Sequence, residues 1–349
     1  MVSIIDPHKH AELKSDVLED LKQVDDIIKS NFDSKINLVN ELSLHIFEGG
    51  GKRIRPLILL ASARATGYAG ANHISLAAVL ELIHTATLLH DDVVDESKLR
   101  RGRKTANAIW GNQASVLVGD YLYSKAFQIM VELGNNRVLQ ILAEATNTLA
   151  EGEIMQLLNK NNPQVTEERY LATIHNKTGK LLESAALLGA VAGKSSKESE
   201  KALANFGKHL GTSFQLIDDA LDYMSDVSKL GKNIGDDLAE GKPTLPLLYA
   251  MWNGSESESK LIENAICNGG LGNLDEIIKT IENTGGLSYT FSLAEKEAKK
   301  EVKEKRTVAA QHREMTKTLM LIIVVLTMLG LLGVYLNLRL MIIKHHICF

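Results

Sequence analysis

The chain has 349 residues, 45% of them hydrophobic, enough for one large domain or two smaller ones. Its 39 basic and 43 acidic residues leave a formal charge of −4, which gives no support for a nucleic-acid binder. Two cysteines, Cys267 and Cys348, form no C-x-x-C and point to neither a disulfide scaffold nor a zinc site.

Met1 to Asp16 carries charges and a proline but no apolar core, so no secretory leader is expected. Ala11 to Phe47 reads as two amphipathic helices broken near Asn31 to Ser34, and Gly49-Gly50-Gly51 ends the second. Ser75 to Leu89 is an apolar helix that runs into an acid cluster, and Lys98 to Lys104 is a basic, glycine-containing loop. Three long helices follow, over Ala114 to Leu133, Val138 to Leu158 and Glu167 to Ala192. Ser199 to Tyr223 is another and carries a second acid cluster, before a Gly-, Lys- and Asp-rich loop from Lys229 to Pro246. Shorter helices continue to about Lys305. The chain has only 5 prolines, none between Pro56 and Pro163, and strand-like alternation is scarce. Together these predict an all-α bundle with its site between helices.

The two acid clusters carry the chemistry. Asp91-Asp92-Val93-Val94-Asp95 and Asp218-Asp219-Ala220-Leu221-Asp222 both read D-D-x-x-D, and both interrupt apolar helices. Residues i and i+4 share a helix face, so Asp91 pairs with Asp95 and Asp218 with Asp222. Close carboxylates repel unless a cation lies between them, and an all-oxygen ligand set suits Mg²⁺, which completes its shell with water and substrate phosphate. One such motif is weak, because surface helices often carry three acids in five residues. Two copies beside buried stripes point to a metal–diphosphate site.

A diphosphate site also needs cations. Gly49-Gly50-Gly51-Lys52-Arg53-Ile54-Arg55-Pro56 is a glycine-rich turn with three positive charges, suited to backbone and bidentate arginine contacts with phosphate. It lacks the Lys-Ser/Thr ending of a P-loop. Arg100-Arg101-Gly102 follows Asp95 closely, where a helix end would bring it back over the acids. Lys177-Thr178, Lys232 and Lys242 add further donors. No catalytic triad or reactive cysteine stands out. His84 and His90 precede the first cluster, and a lone histidine there is more often structural.

The segments GGGKRIRP, ELIHTATLLHDDVVDESKLRRG, NKTGKLLESAA, GTSFQLIDDALDY and GKNIGDDLAEGKPTLPLL resemble the trans-isoprenyl diphosphate synthases, or polyprenyl synthetases. The likeness is strong from about Leu38 to Ala250, and the first acid segment looks most like the octaprenyl members that build quinone side chains. The resemblance implies an isoprenoid-synthase-type helical bundle around a deep central cavity, usually a homodimer. It implies about three Mg²⁺ ions held by Asp91, Asp92, Asp95, Asp218, Asp219 and Asp222. It places Lys52, Arg55, His84 and Arg101 around isopentenyl diphosphate. Arg100, Lys177, Thr178, Gln215, Lys232 and Lys242 fall around the allylic diphosphate, with Lys177 also counted among the catalytic groups.

The expected reaction adds five-carbon units to an allylic primer such as farnesyl diphosphate, to a long all-trans product. Ala86 and Thr87, five and four residues before Asp91, are small and leave the channel open. Tyr123, Phe127 and Met130 are candidate floor residues, although core packing explains them equally well. The alternatives are a non-catalytic subunit of a heteromeric synthase, a terpene cyclase, and a membrane-anchored interaction protein. Non-catalytic subunits usually lose acids, and this chain keeps all six. Cyclases usually carry one such motif and lack the isopentenyl pocket.

Residues 306–349 depart from the family pattern, which is expected to end near residue 305. Thr318 to Leu338 is a run of 21 uncharged, mostly apolar residues flanked by Arg313, Lys317, Arg339 and Lys344. Its length matches a membrane span with the main domain on the cytoplasmic side. The abrupt break favours the competing account, a shifted or truncated reading frame.

Overall fold

Hydrophobic stripes at helical spacing build the whole scaffold. The computed structural model describes residues 7–224, 234–269 and 271–309, with side chains over 16–224, 234–269 and 272–300. Lys232 and the apolar run 318–338 lie outside these residues. In chain order the first helices are α1 (Pro7–Ser30), α2 (Asn37–Glu48), α3 (Ile54–Ala65) and α4 (Asn72–Val94). A two-strand hairpin, β1 (Leu99–Arg100) and β2 (Arg103–Lys104), leads to α5 (Ala106–Trp110), α6 (Asn112–Glu132) and α7 (Asn136–Asn159). Then come α8 (Glu167–Ile174), a π-helical turn (His175–Gly179), α9 (Lys180–Ala192) and α10 (Lys197–Leu221). The rest is α11 (Asp236–Ala239), α12 (Leu245–Asn253), α13 (Glu256–Asn268), a 3₁₀ turn (Leu271–Asn273), α14 (Leu274–Thr284) and α15 (Gly286–Ala309).

The expected break after the first helix and the expected long helices are present, with local chemistry at their ends. Asn135 caps α7 by accepting from the Arg137 and Val138 amides, Thr166 caps α8, and Ser196 caps α10. Ser255 and Glu258 form a reciprocal capping box at α13. Pro246 sits in the first turn of α12, where its missing N–H has no helical partner to lose.

α4 is the axis. It is free of Gly and Pro, and Leu76, Leu80, Leu82, Ile83 and Leu89 on it are buried at 3% exposure or less. Full burial of each such side chain stabilises by roughly 1.5–3 kcal/mol. Among the described residues α4 alone is long and apolar enough to cross a membrane, and 72% of that stretch is buried inside the protein.

α4 packs against α1, α3, α6 and α9 in one large core. A second core gathers α8, the end of α10, α12, α13, α14 and α15 around Leu216, Tyr223 and Leu248. The first acid cluster closes the end of α4 in the first core. The second closes α10 where it enters the second core. The seam between the two cores is therefore lined by acids.

Two local features differ from the expected ones. Lys98 to Lys104 is a tight hairpin rather than an open loop, because Arg101 and Gly102 both adopt positive φ (52° and 75°). Two consecutive residues of that kind make the hairpin turn whose twist matches the strands. The expected helix over Glu167 to Ala192 is interrupted by the π-helical turn at His175–Gly179, which carries Lys177 and Thr178. An extra residue in one turn shifts the helix register there, a device frequent at functional sites.

Candidate functional site

The site is built from the C-terminal ends of α4 and α10. In each motif the last aspartate, Asp95 or Asp222, is the first residue past the helix. Negative charge at a helix C-terminus is disfavoured by the helix dipole, so both ends call for cations. At the end of α4 the protein supplies them. Asp95 accepts from the Lys160 ammonium on Oδ1 at 2.7 Å and from Lys242 on Oδ2 at 3.2 Å. Burial pushes the Asp95 carboxyl up, but Lys242, Lys160 and Lys177 outweigh it and hold the group below the usual range. Lys177 lies 3.7 Å from Asp91 and 2.6 Å from Glu153 on α7. Burial among acids, opposed by Lys177, raises the Glu153 carboxyl to about 6. Lys242 is half-buried, yet Asp237, Asp95 and Glu240 push its ammonium up despite the desolvation.

The middle aspartates behave differently from their neighbours, and in the same way in both motifs. Asp92 is fully buried and turned toward the hairpin, where Arg100 donates from Nε (2.9 Å) and Nη2 (2.8 Å) to its Oδ1. Its Oδ2 is buried with no partner among the described residues. Burial raises this carboxyl, with Arg100 opposing. Asp219 is 4% exposed and accepts from the Tyr170 hydroxyl at 2.6 Å and from Gln215 Nε2 at 2.7 Å. Burial and the nearby Asp237 raise Asp219 to about 7. Thr178 donates to Gln215 Oε1 at 3.0 Å, and Gln215 in turn donates to Asp219, so these two expected site residues meet at the second cluster. Asp222 Oδ2 accepts from the Asp237 amide at 3.1 Å.

The expected isopentenyl pocket also gathers. A Cβ added to Gly51 would meet the guanidinium groups of Arg53 and Arg101 at 3.1 and 3.2 Å, so glycine there lets two distant cationic segments close on one turn. Arg55 Nε is buried without an acceptor among the described residues. Arg55 is lowered by burial, with Glu81 opposing and Arg101 adding to it. Burial and then Arg55, Arg100, Arg101 and Arg53 push His84 well below its ordinary range, leaving a neutral ring among guanidinium groups. Lys52 lies on the same turn and is exposed. His90, by contrast, is structural: its Nε2 lies 3.1 Å from the Val116 carbonyl, and Gly119 makes room for its ring.

Sequence reading missed Glu153, Lys160, Tyr170 and Asp237. A signal existed for Glu153. Its neighbour Gly152 allows a close approach, since a Cβ there would lie 2.5 Å from the Lys177 amide nitrogen. The others are single polar residues whose partners lie far along the chain, and no spacing announces them.

The donor chemistry fits Mg²⁺: every acid in the seam is a hard oxygen donor, and one buried oxygen of Asp92 has no partner. Among the described residues no three acidic, histidine or cysteine side chains converge as a ready-made metal cage. Ammonium and guanidinium groups hold the first cluster instead, and neutral donors hold Asp219 and Asp222 of the second.

Comparison with known proteins identifies the family and the fold. The Polyprenyl synthetase family model matches residues 36–281. The octaprenyl diphosphate synthase of Escherichia coli (strain K12) is 50% identical over 285 residues, 81% of this chain and 88% of that protein. The crystal structure of a decaprenyl diphosphate synthase from Rhodobacter capsulatus superposes with a TM-score of 0.82 at 39% identity, covering 91% of this chain and 98% of that one. A polyprenyl synthase from Caulobacter crescentus CB15, complexed with calcium and isoprenyl diphosphate, gives a TM-score of 0.81 at 38% identity, over 89% and 95%. The chain belongs to the polyprenyl synthetase family and has its all-helical isoprenoid-synthase fold.

Proposed function

We propose that this polyprenyl synthetase condenses isopentenyl diphosphate with an allylic diphosphate in repeated steps, ending at an all-trans octaprenyl diphosphate for a quinone side chain. The observation that carries it is the seam itself. The first D-D-x-x-D helix end meets Lys177 and Lys242 there, the Asp237 amide beside Lys242 reaches Asp222 of the second, and a guanidinium cluster surrounds a neutral His84.

Asp91, Asp95, Asp218 and Asp222 would hold Mg²⁺, about three ions per site, with Asp92 and Asp219 completing the set when they turn from their protein partners. Bound Mg²⁺ supplies positive charge against the diphosphate that leaves. The side chains do the rest. Lys177, Thr178, Gln215, Lys242 and Lys232 hold the allylic diphosphate, and Arg100 ties Asp92 to the hairpin above it. Lys52, Arg55 and Arg101 bind isopentenyl diphosphate through charge, while neutral His84 donates an N–H. The allylic C–O bond breaks, and the fixed double bond of isopentenyl diphosphate attacks the allylic cation. A new C–C bond forms, and the proton lost from the adduct goes to the released diphosphate. No protein nucleophile is needed.

Octaprenyl length rests on the 50% identical relative, and small Ala86 below the first acids is compatible with a long channel. We also propose a homodimer, because Leu117, Val131, Ile154 and Leu158 on α6 and α7 are each more than half exposed in the single chain. The catalytic domain is assigned to the cytoplasm, and the apolar run 318–338 to membrane association.

The test is a product assay with farnesyl diphosphate, labelled isopentenyl diphosphate and Mg²⁺. A ladder ending at octaprenyl supports the reading, and a different end point corrects the length. No elongation by the intact chain would overturn the activity.

A further inference from the structure

We infer that Lys160 is an internal cation which occupies a metal-facing oxygen of Asp95 and so sets how much Mg²⁺ the site requires. The inference rests on the functional reading above and deepens it. Lys160 follows directly on α7, and its ammonium reaches Asp95 Oδ1 at 2.7 Å while Lys242 holds Oδ2 at 3.2 Å. Both oxygens of that carboxylate therefore carry an ammonium. They are also the donors a divalent cation would take.

The pair is not a loose surface contact. The Lys160 side chain is 20% exposed and that of Asp95 13%. The backbone fixes the approach as well. The Asn161 amide donates to the Gly241 carbonyl at 2.8 Å, and Gly241, at φ 71°, leaves room that a Cβ would take from the Asn161 side chain. The end of α7 and the turn that carries Lys242 are thus one joined unit, which presents two ammonium groups to one carboxylate. A lysine after a helix needs no reason beyond the dipole. That reason would be met equally well in solvent, and Lys160 points inward instead.

An ammonium and Mg²⁺ cannot share one oxygen at contact distance, since the metal needs it at about 2.1 Å. Lys160 then stabilises the metal-free protein and competes with the metal. Removing its charge acts on one state alone: the metal-free form loses a counterion, the metal-bound form is unchanged, and Mg²⁺ therefore binds at lower concentration. A purely structural lysine would weaken both forms alike.

The experiment compares the intact chain with Lys160→Met, Lys160→Gln and Lys160→Arg. Thermal unfolding is followed in EDTA and across a Mg²⁺ titration at fixed inorganic diphosphate. In Lys160→Met the midpoint is expected to fall in EDTA and to rejoin the parent at saturating Mg²⁺. The half-saturating Mg²⁺ concentration should drop about fivefold, the scale of one partly buried ion pair. Lys160→Arg should stay with the parent, and Lys160→Gln reports the same loss of charge if the methionine variant does not fold. An unchanged Mg²⁺ midpoint would sink the inference alone. A raised midpoint would also overturn it, because Lys160 would then be holding diphosphate. A parent chain with no Mg²⁺ response would overturn the functional reading, and this inference with it.

Discussion

Tyr170→Phe removes one hydroxyl and nothing else, and its effect should depend on pH. Tyr170 and Asp219 are each 4% exposed, and the hydroxyl donates to Asp219 Oδ2 at 2.6 Å. Burial and the Asp219 carboxylate push the phenol well above its ordinary value, so it remains a donor at any working pH. Asp219 itself is raised to about 7, by burial first and Asp237 second, while the bond from Tyr170 pulls it down. An acid raised in the folded state binds its proton there before it does in the unfolded chain. Its contribution is therefore fully present below about 4 and is lost as pH rises through about 7. The tyrosine offsets part of that loss by favouring the ionised form.

At pH 8 the bond goes to a buried carboxylate, and losing it should cost about 1.5–3 kcal/mol. At pH 5.5 it goes to a neutral carboxyl, and the cost should be about 1 kcal/mol. The assay is denaturant unfolding of the metal-free chain at both values, with Asp219→Asn and the double variant closing a cycle. Equal losses at the two pH values would refute the reasoning, because the hydroxyl would not be sensing the charge on Asp219.

Ala86 is completely buried on α4, five residues before Asp91, so Ala86→Phe should shorten the product and cost about 1–3 kcal/mol in overpacking. Unchanged chain length in the product ladder would remove this position from the channel. His209 Nδ1 lies 2.7 Å from Glu297 between α10 and α15, and that bond, outweighing burial, holds Glu297 down at about 2. A lowered carboxyl stabilises above about 4.5 and loses that contribution as pH falls toward 2. His209→Ala should thus cost about 1 kcal/mol at pH 6, discounted for partial exposure, and much less at pH 3. A loss that persists undiminished at pH 3 would assign it to packing. Leu117→Glu, on the exposed face of α6, should yield monomers in sedimentation, and an unaltered dimer would place the interface elsewhere.

Much of the architecture was legible from one dimension because helix periodicity and end chemistry are local. The stripe on α4 and the paired D-D-x-x-D motifs depend on neighbours within a few residues. The hairpin at Arg101-Gly102 was less so, since Arg101 must accept a backbone region that arginine rarely adopts. The π-helical turn at His175–Gly179 escaped for a similar reason, because one extra residue in a turn leaves the apolar pattern nearly unchanged.

By itself, then, the sequence determined which residue types this protein brings to its chemistry: six carboxylates, a histidine and a set of fixed cations, on helices that end where the acids begin. Only the tertiary structure decided how they are paired. Asp92 and Asp219 look identical to their neighbours in the motif, yet one is turned to Arg100 and the other to Tyr170. Glu153 and Lys160 look like ordinary charges on α7 and just past it, yet they meet Lys177 and Asp95 across the seam. The physical reason is range. Helix formation is set by contacts a turn away, whereas an ion pair is set by where two packed cores bring distant segments together, and there burial makes the choice of partner matter.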